Sequence, residues 1–260
     1  MKFLLTAINA KFIHSNPAIY SLRAGVGEKL QPYVELAEFT INESPESILE
    51  GIWKRQPKVI GFSCYIWNWK LIRELLTELP KILPDTEIWL GGPEVTYDGP
   101  GLLREFPQVT GIMVGEGEVT FREVLGQYVR EAESTGQSEQ QPEPDSIEQQ
   151  AADRTGTVAG KNVAERFGQI SGLCLASGYT APRELTDLTT LPFLYEDMEP
   201  FTNRIIYYET SRGCPYRCSY CLSSIDKKVR LRDIDVVKRE LQFFLDQNVK
   251  QVKFIDRTFN

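Results

Sequence analysis

Three thiols within eight residues, Cys214, Cys218 and Cys221, form a C-x3-C-x2-C spacing just after the strand-like run Arg204 to Thr210. Three thiolates on one tight loop can face a common centre. With no fourth cysteine beside them, one iron of a 4Fe-4S cluster would lack a protein ligand. Such an open position is where a chelating substrate group binds, as at catalytic metals generally. A structural zinc knot is the rival reading, but it wants a fourth ligand close by, and the only histidine, His14, lies about two hundred residues upstream. Chance clustering is the other. Five cysteines is an odd number, and this spacing suits ligation in a reducing compartment better than a disulfide framework. Cys64 and Cys174 are read as ordinary thiols.

A second set of candidates lies upstream, where apolar runs end in small or polar residues. Asn9-Ala-Lys-Phe-Ile-His14-Ser15-Asn follows the first, Ser63-Cys64-Tyr65 the third, Gly91-Gly92-Pro93-Glu94 the fourth and Gly115-Glu116-Gly117-Glu118 the fifth. Glycines there let a flat or extended ligand approach the backbone closely. Tight turns are the bland alternative.

The elements that must position these residues follow from periodicity. Strands are expected at Lys2 to Ile8, Val34 to Phe39, Lys58 to Ser63, Glu87 to Gly91 and Gly111 to Val114. Helices fit between them: Pro17 to Leu30 and Pro45 to Arg55, each opened by a capping residue and a proline, then Asn68 to Leu79, a short piece after Asp98, and Glu118 to Arg130. Five βα units predict an α/β domain over 1–130, a doubly wound parallel five-stranded sheet in flavodoxin-like order. Its ligand crevice should open between strands one and three, with Asn9, Ser63, Gly92 and Gly115 around it.

Residues 131–160 hold seven acids and one base within Glu131 to Thr155, six of the formal net charge of -7. With almost nothing to bury, this stretch is expected to be a flexible acidic linker. Residues 161–200 read as a connector with a small hairpin at Ile170 to Tyr179. Residues 201–260 read as the first βαβ of a barrel: Arg204 to Thr210, a helix from Arg232 to Asp246, and Val252 to Asp256. One parallel strand pair cannot close a core, so the sequence is expected to be a fragment.

The 260 residues are 42% hydrophobic and 25% charged, a globular composition. The acidic balance gives no support to nucleic-acid binding. No apolar run approaches the roughly 20 residues of a bilayer span, and Met1 leads into a strand without a signal-peptide pattern. The expected location is the cytoplasm.

The stretch Thr210-Ser-Arg-Gly-Cys214-Pro-Tyr-Arg-Cys218-Ser-Tyr-Cys221 resembles the cluster loop of the radical S-adenosylmethionine superfamily. That resemblance implies a (β/α) barrel, here truncated, and a 4Fe-4S cluster on Cys214, Cys218 and Cys221. It further implies S-adenosylmethionine chelating the free iron and an electron donor of flavodoxin or ferredoxin type. Tyr220, just before the third cysteine, matches the pattern. Phe254 to Asn260 resembles the end of the second barrel strand in the cobalamin-linked branch, but lacks the Gly-Gly-Glu that holds the cofactor's amino group in many members. Asp256 and Arg257 are the available substitutes there, a salt-bridged strand end being the alternative.

The four upstream loops together resemble the cobalamin-binding domain of that branch, closest to an uncharacterised bacterial subgroup with Asn-Ala-Lys-aromatic-Ile-His near its start. The cobalamin contacts this implies are Asn9, His14, Ser15, Ser63, Cys64, Gly91, Gly92, Pro93, Glu94, Gly115 and Glu116. The sequence departs from the Asp-x-His-x-x-Gly motif of many such domains: Phe12 stands where Asp would, and no glycine follows. A role for His14 in steadying the next helix start is therefore favoured over cobalt ligation.

The resemblance implies a radical S-adenosylmethionine enzyme, a B12-dependent methyltransferase or a rearrangement or cyclisation catalyst on an unknown substrate. The alternatives are a radical enzyme whose B12-like domain has lost cobalamin, and a non-catalytic iron-sulfur protein.

Overall fold

The structure is a computed structural model that describes residues 1–136, 163–221 and 228–257. Five parallel strands, β1 (Phe3–Asn9), β2 (Val34–Thr40), β3 (Val59–Ser63), β4 (Glu87–Gly91) and β5 (Val109–Met113), stand within two residues of their expected bounds. Their order is β2-β1-β3-β4-β5, the flavodoxin-like winding.

The strands are apolar on both faces, as a parallel sheet between two helical layers requires. One face carries Leu4, Ile60, Leu90 and Ile112 against α2 (Pro45–Trp53), α3 (Trp69–Ile82) and α4 (Gly99–Glu105). The other carries Phe3, Leu5, Val59, Trp89 and Met113 against α1 (Pro17–Gly25) and α5 (Gly117–Gly136). Helix α1 stops five residues earlier than expected. Gly27, at φ +78, turns the chain out of the helix where a side chain would be strained.

Two expectations for the middle of the chain need correction. Helix α5 runs to Gly136, into the stretch read as linker, because Glu131 accepts from Arg166 Nη2 at 2.9 Å and from Gln127 Nε2 at 2.8 Å. The rest of that linker, 137–160, lies outside the described residues. The hairpin is also more than connector. β6 (Leu173–Leu175) and β7 (Gly178–Tyr179) join β5 antiparallel, giving a seven-stranded mixed sheet, and Phe167, Leu173 and Leu175 are buried in the α1/α5 layer. Three large apolar side chains so placed stabilise the domain by about 1.5–3 kcal/mol each, so the unit reaches past residue 130.

Beyond two 3-10 turns, Leu188–Thr190 and Glu199–Phe201, the chain enters the expected βαβ. β8 (Ile206–Tyr208) pairs in parallel with β11 (Val252–Phe254), and α6 (Ile234–Asp246) crosses between them. Tyr195, Phe201, Ile206, Tyr208, Val237 and Phe244 form its core. A short antiparallel pair, β9 (Ser211–Arg212) and β10 (Arg230–Leu231), flanks the cysteine loop. Among the described residues, no helix is long and apolar enough to cross a membrane.

Candidate functional site

A cleft of about 450 Å³ opens at the carboxyl ends of the sheet strands on the α1/α5 face. Its position follows from strand register. Ser63 pairs with Gly91, so two small residues sit side by side at the strand ends and keep this face open. Leu5, Met113 and Leu22 make the inner wall, and Gly115 to Glu118 one side. The opposite wall comes from the βαβ unit: Leu191 to Tyr195, Tyr207, Tyr208, Glu209, Arg212 and Arg232. Arg212 is two residues before Cys214, so one cleft is bounded by both the upstream glycine loops and the strand that enters the cysteine loop.

The expected upstream residues divide into two groups. Ser63, Gly91, Gly92, Pro93, Gly115 and Glu116 line this cleft. Asn9, His14, Ser15, Cys64 and Glu94 do not. Asn9 Nδ2 donates to Glu38 Oε1 at 2.8 Å and to His14 O at 3.0 Å, and Ser15 Oγ donates to Ile205 O at 3.1 Å. His14 Nδ1 is hydrogen-bonded to the Tyr207 hydroxyl. The loop after β1 thus docks on the first barrel strand. The helix start that His14 was expected to steady is capped by Asn16, whose Oδ1 accepts from Ile19 N.

Cys64 is fully buried, donates its backbone N–H to Gly91 O at 2.7 Å, and burial pushes its thiol far above the ordinary range. Glu94 is exposed, its N–H directed at Cys64 O at 3.4 Å. Gly92 lines the cleft, yet φ +110 and a Cβ that would sit 2.5 Å from Cys64 O mean that the turn itself demands glycine there. Burial likewise raises Tyr65, whose ring stacks on Trp67 at 4.4 Å.

A buried carboxylate ties the two units together. Glu38, on β2, takes an ion pair from Arg204 and hydrogen bonds from Tyr20 Oη at 2.8 Å and Asn16 N at 3.1 Å. Burial, and then the Glu38 carboxylate, push the Tyr20 phenol far up.

On the barrel side, Cys214 and Cys221 are half-buried and Cys218 is exposed, with Cys221 N donating to Cys218 O at 3.1 Å. Among the described residues no group of three His, Cys, Asp or Glu is arranged around a single metal ion. A cubane cluster does not ask for that, since its three thiolates ligate three different irons. Tyr220 is 91% exposed. Asp256 is held by the chain itself: Oδ1 accepts from Thr210 N at 2.8 Å and Ser211 N at 3.0 Å, and Oδ2 from Thr210 Oγ1. It anchors the start of the cysteine loop by these three hydrogen bonds. Arg257 is exposed and lies within electrostatic reach of Tyr65.

Tyr207, Glu209, Arg212, Trp89 and Gly61 were missed as cleft residues. Gly61 was within reach, since period-two alternation puts it on the face of Ser63. The barrel wall was not, because it depends on how the two units dock.

The B12 binding domain family matches residues 4–125. The chain is 26% identical over 233 residues to the 2-(S-pantetheinyl)-carbapenam-3-carboxylate methyltransferase of Streptantibioticus cattleyicolor, covering 84% of this chain and 30% of that protein. It is 27% identical over 215 residues to the cobalamin-dependent radical SAM methyltransferase TokK of Streptomyces tokunonensis, covering 78% and 28%. The chain therefore spans under a third of the length of these relatives. A solved structure of the cobalamin-dependent S-adenosylmethionine radical enzyme OxsB superposes over 98% of this chain and 34% of that one, with TM-score 0.68 and 16% identity, so the fold is shared. Residues 4–125 are thus similar to the B12 binding domain family, in a chain similar over 78% of its length to a cobalamin-dependent radical SAM methyltransferase.

Proposed function

We propose that this chain is the cofactor-holding part of a cobalamin-dependent radical S-adenosylmethionine enzyme that methylates or rearranges an unreactive carbon of its substrate. The observation that carries this is the shared cleft, with Ser63, Gly91 and Gly115 on one wall and Tyr207 to Glu209 and Arg212 on the other. Its volume suits a drug-sized group, and Ser63, Gly91 and Gly115 are the residues that would let a corrinoid approach the backbone closely.

When bound, these cofactors supply a methyl group from methylcobalamin and a 5′-deoxyadenosyl radical from S-adenosylmethionine. The residues that would hold the cluster are Cys214, Cys218 and Cys221, and Asp256 keeps their loop seated on the strand ends. Tyr220, Asp256 and Arg257 are the residues that would face S-adenosylmethionine. Tyr207, fixed by His14, and the apolar inner wall of Leu5, Leu22 and Met113 would shield a bound group from water.

The test is anaerobic reconstitution of the protein with iron and sulfide, reduction with dithionite, and addition of S-adenosylmethionine. Formation of 5′-deoxyadenosine is expected. A reduced cluster that neither binds nor cleaves S-adenosylmethionine would favour the iron-sulfur carrier and refute the proposal.

A further inference from the structure

The cysteine loop leaves and rejoins the fold through two arginines that face one another. Arg212 on β9 and Arg230 on β10 are direct cross-strand partners, an arrangement that places like charges side by side and is unfavourable alone. A single carboxylate from the other unit lies between them. Glu116 Oε1 is 3.4 Å from Arg212 Nη1 and is bound by Arg230 Nη2, while its Oε2 takes Arg230 Nη1 at 3.2 Å and Thr186 N at 2.7 Å. Glu118 and Glu209 complete the charge balance on Arg212, each at 2.9 and 2.8 Å. The Glu116 side chain is only 15% exposed, so screening by water is weak. Burial works against its ionisation, but the hydrogen bonds from Arg230 and Thr186 and the charge of Arg212 outweigh it and hold the carboxyl below the ordinary range.

The same residue belongs to the cleft. Gly115, Glu116 and Gly117 all line it, and Gly115, at φ +77, has open space where a Cβ would stand. A ligand seated against this peptide stiffens the segment that carries Glu116, and Glu116 in turn holds the entry and exit of the cysteine loop.

We propose that Glu116 is a positioning residue through which corrinoid occupancy of the cleft orders the cluster loop, an inference that rests on the cofactor reading above. By thermodynamic reciprocity, an ordered loop then also favours the corrinoid. Glu116, expected as a direct cofactor contact, directs its carboxylate at the loop strands.

The experiment is hydrogen exchange on the anaerobically reconstituted chain with and without hydroxocobalamin, read at the amides of 209–213 and 228–232. In the wild type, the ligand is expected to slow exchange there by about fivefold or more, the lower range of allosteric coupling. Glu116→Gln, and Arg230→Lys, which keeps the charge but loses the two-pronged grip, should still bind hydroxocobalamin while the slowing falls below about twofold. Glu105→Gln, removing an exposed partner of Arg73 remote from the cleft, should keep it. Full slowing in both variants, or bound ligand with no slowing in the wild type, overturns the coupling. Loss of hydroxocobalamin binding in a folded Glu116→Gln protein would make Glu116 a ligand contact and overturn it too. A wild type that binds no hydroxocobalamin refutes instead the cofactor reading on which the inference rests.

Discussion

Replacing Gly92 by alanine separates what the turn after β4 requires from what a ligand requires. At φ +110 an alanine is outside the left-handed well that non-glycine residues tolerate, a strain of about 1–3 kcal/mol. Its Cβ would also stand 2.5 Å from Cys64 O and 3.1 Å from Cys64 N, both backbone atoms. No rotamer change relieves that contact, and moving the Cys64 peptide stretches its 2.7 Å hydrogen bond to Gly91 O. Overpacking of this kind adds about 1–3 kcal/mol, so a total near 3 kcal/mol is expected, or a fall in melting temperature of about 6–12 °C at about 2–4 °C per kcal/mol for a domain this size. The two neighbouring glycines calibrate the result. Gly115→Ala meets nothing within 4 Å and suffers only the positive φ, about 1 kcal/mol. Gly91→Ala has an ordinary backbone and an ordinary 3.7 Å contact with Met113 Cβ, so it should lose less than about 0.5 kcal/mol. Thermal unfolding followed by circular dichroism, without ligand, ranks the three. A Gly92→Ala protein that melts no lower than Gly115→Ala would refute the steric reasoning.

Arg204→Met should cost about 3 kcal/mol in urea unfolding, the low end for orphaning a largely buried charge, because Tyr20, Asn9 and Asn16 still donate to Glu38. Cys214→Ala, Cys218→Ala and Cys221→Ala should each abolish the cluster in iron and sulfide analysis, whereas Cys64→Ala and Cys174→Ala, changed at fully buried positions, should keep it; an intact cluster in Cys218→Ala contradicts the ligand assignment. At Glu116 and Glu131 burial opposes ionisation but the arginine hydrogen bonds win, so both folded carboxyls lie below the usual 4.5. Their contribution is complete above that value and is lost as pH falls through the lower folded one. Melting temperature should therefore drop below about pH 4.5, less steeply in Glu116→Gln.

The parallel sheet was legible because its strands are short apolar runs between capped, periodic helices, and Ser15-Asn16-Pro17 and Ser44-Pro45 each mark a helix start. The hairpin's attachment was not, since nothing in Leu173 to Tyr179 says which sheet edge it will join. Nor was the division of the upstream loops. Asn9 and His14 look like ligand residues, but Asn9 is engaged by Glu38 on β2 and His14, once the first barrel strand is docked, by Tyr207. Pairing across units separated by well over a hundred residues leaves no local periodic trace. Asp256 illustrates the same limit: its position at a strand end was readable, but its hydrogen bonds to Thr210 and Ser211 depend on strand register.

The central claim is that one cleft serves both the parallel-sheet domain, as a corrinoid site, and the strand leading to the cysteines. Titration of the anaerobically reconstituted protein with hydroxocobalamin, in the wild type and in Gly91→Leu, tests it most directly. Gly91 is the better position than Gly92 because its backbone tolerates a side chain that then projects beside Met113 into the cleft. One corrinoid per wild-type chain is expected, weakened by about tenfold or more in Gly91→Leu, a loss of about 1.4 kcal/mol, with iron content and circular dichroism unchanged. Undiminished binding in that variant, or no corrinoid on the wild type, would contradict the account.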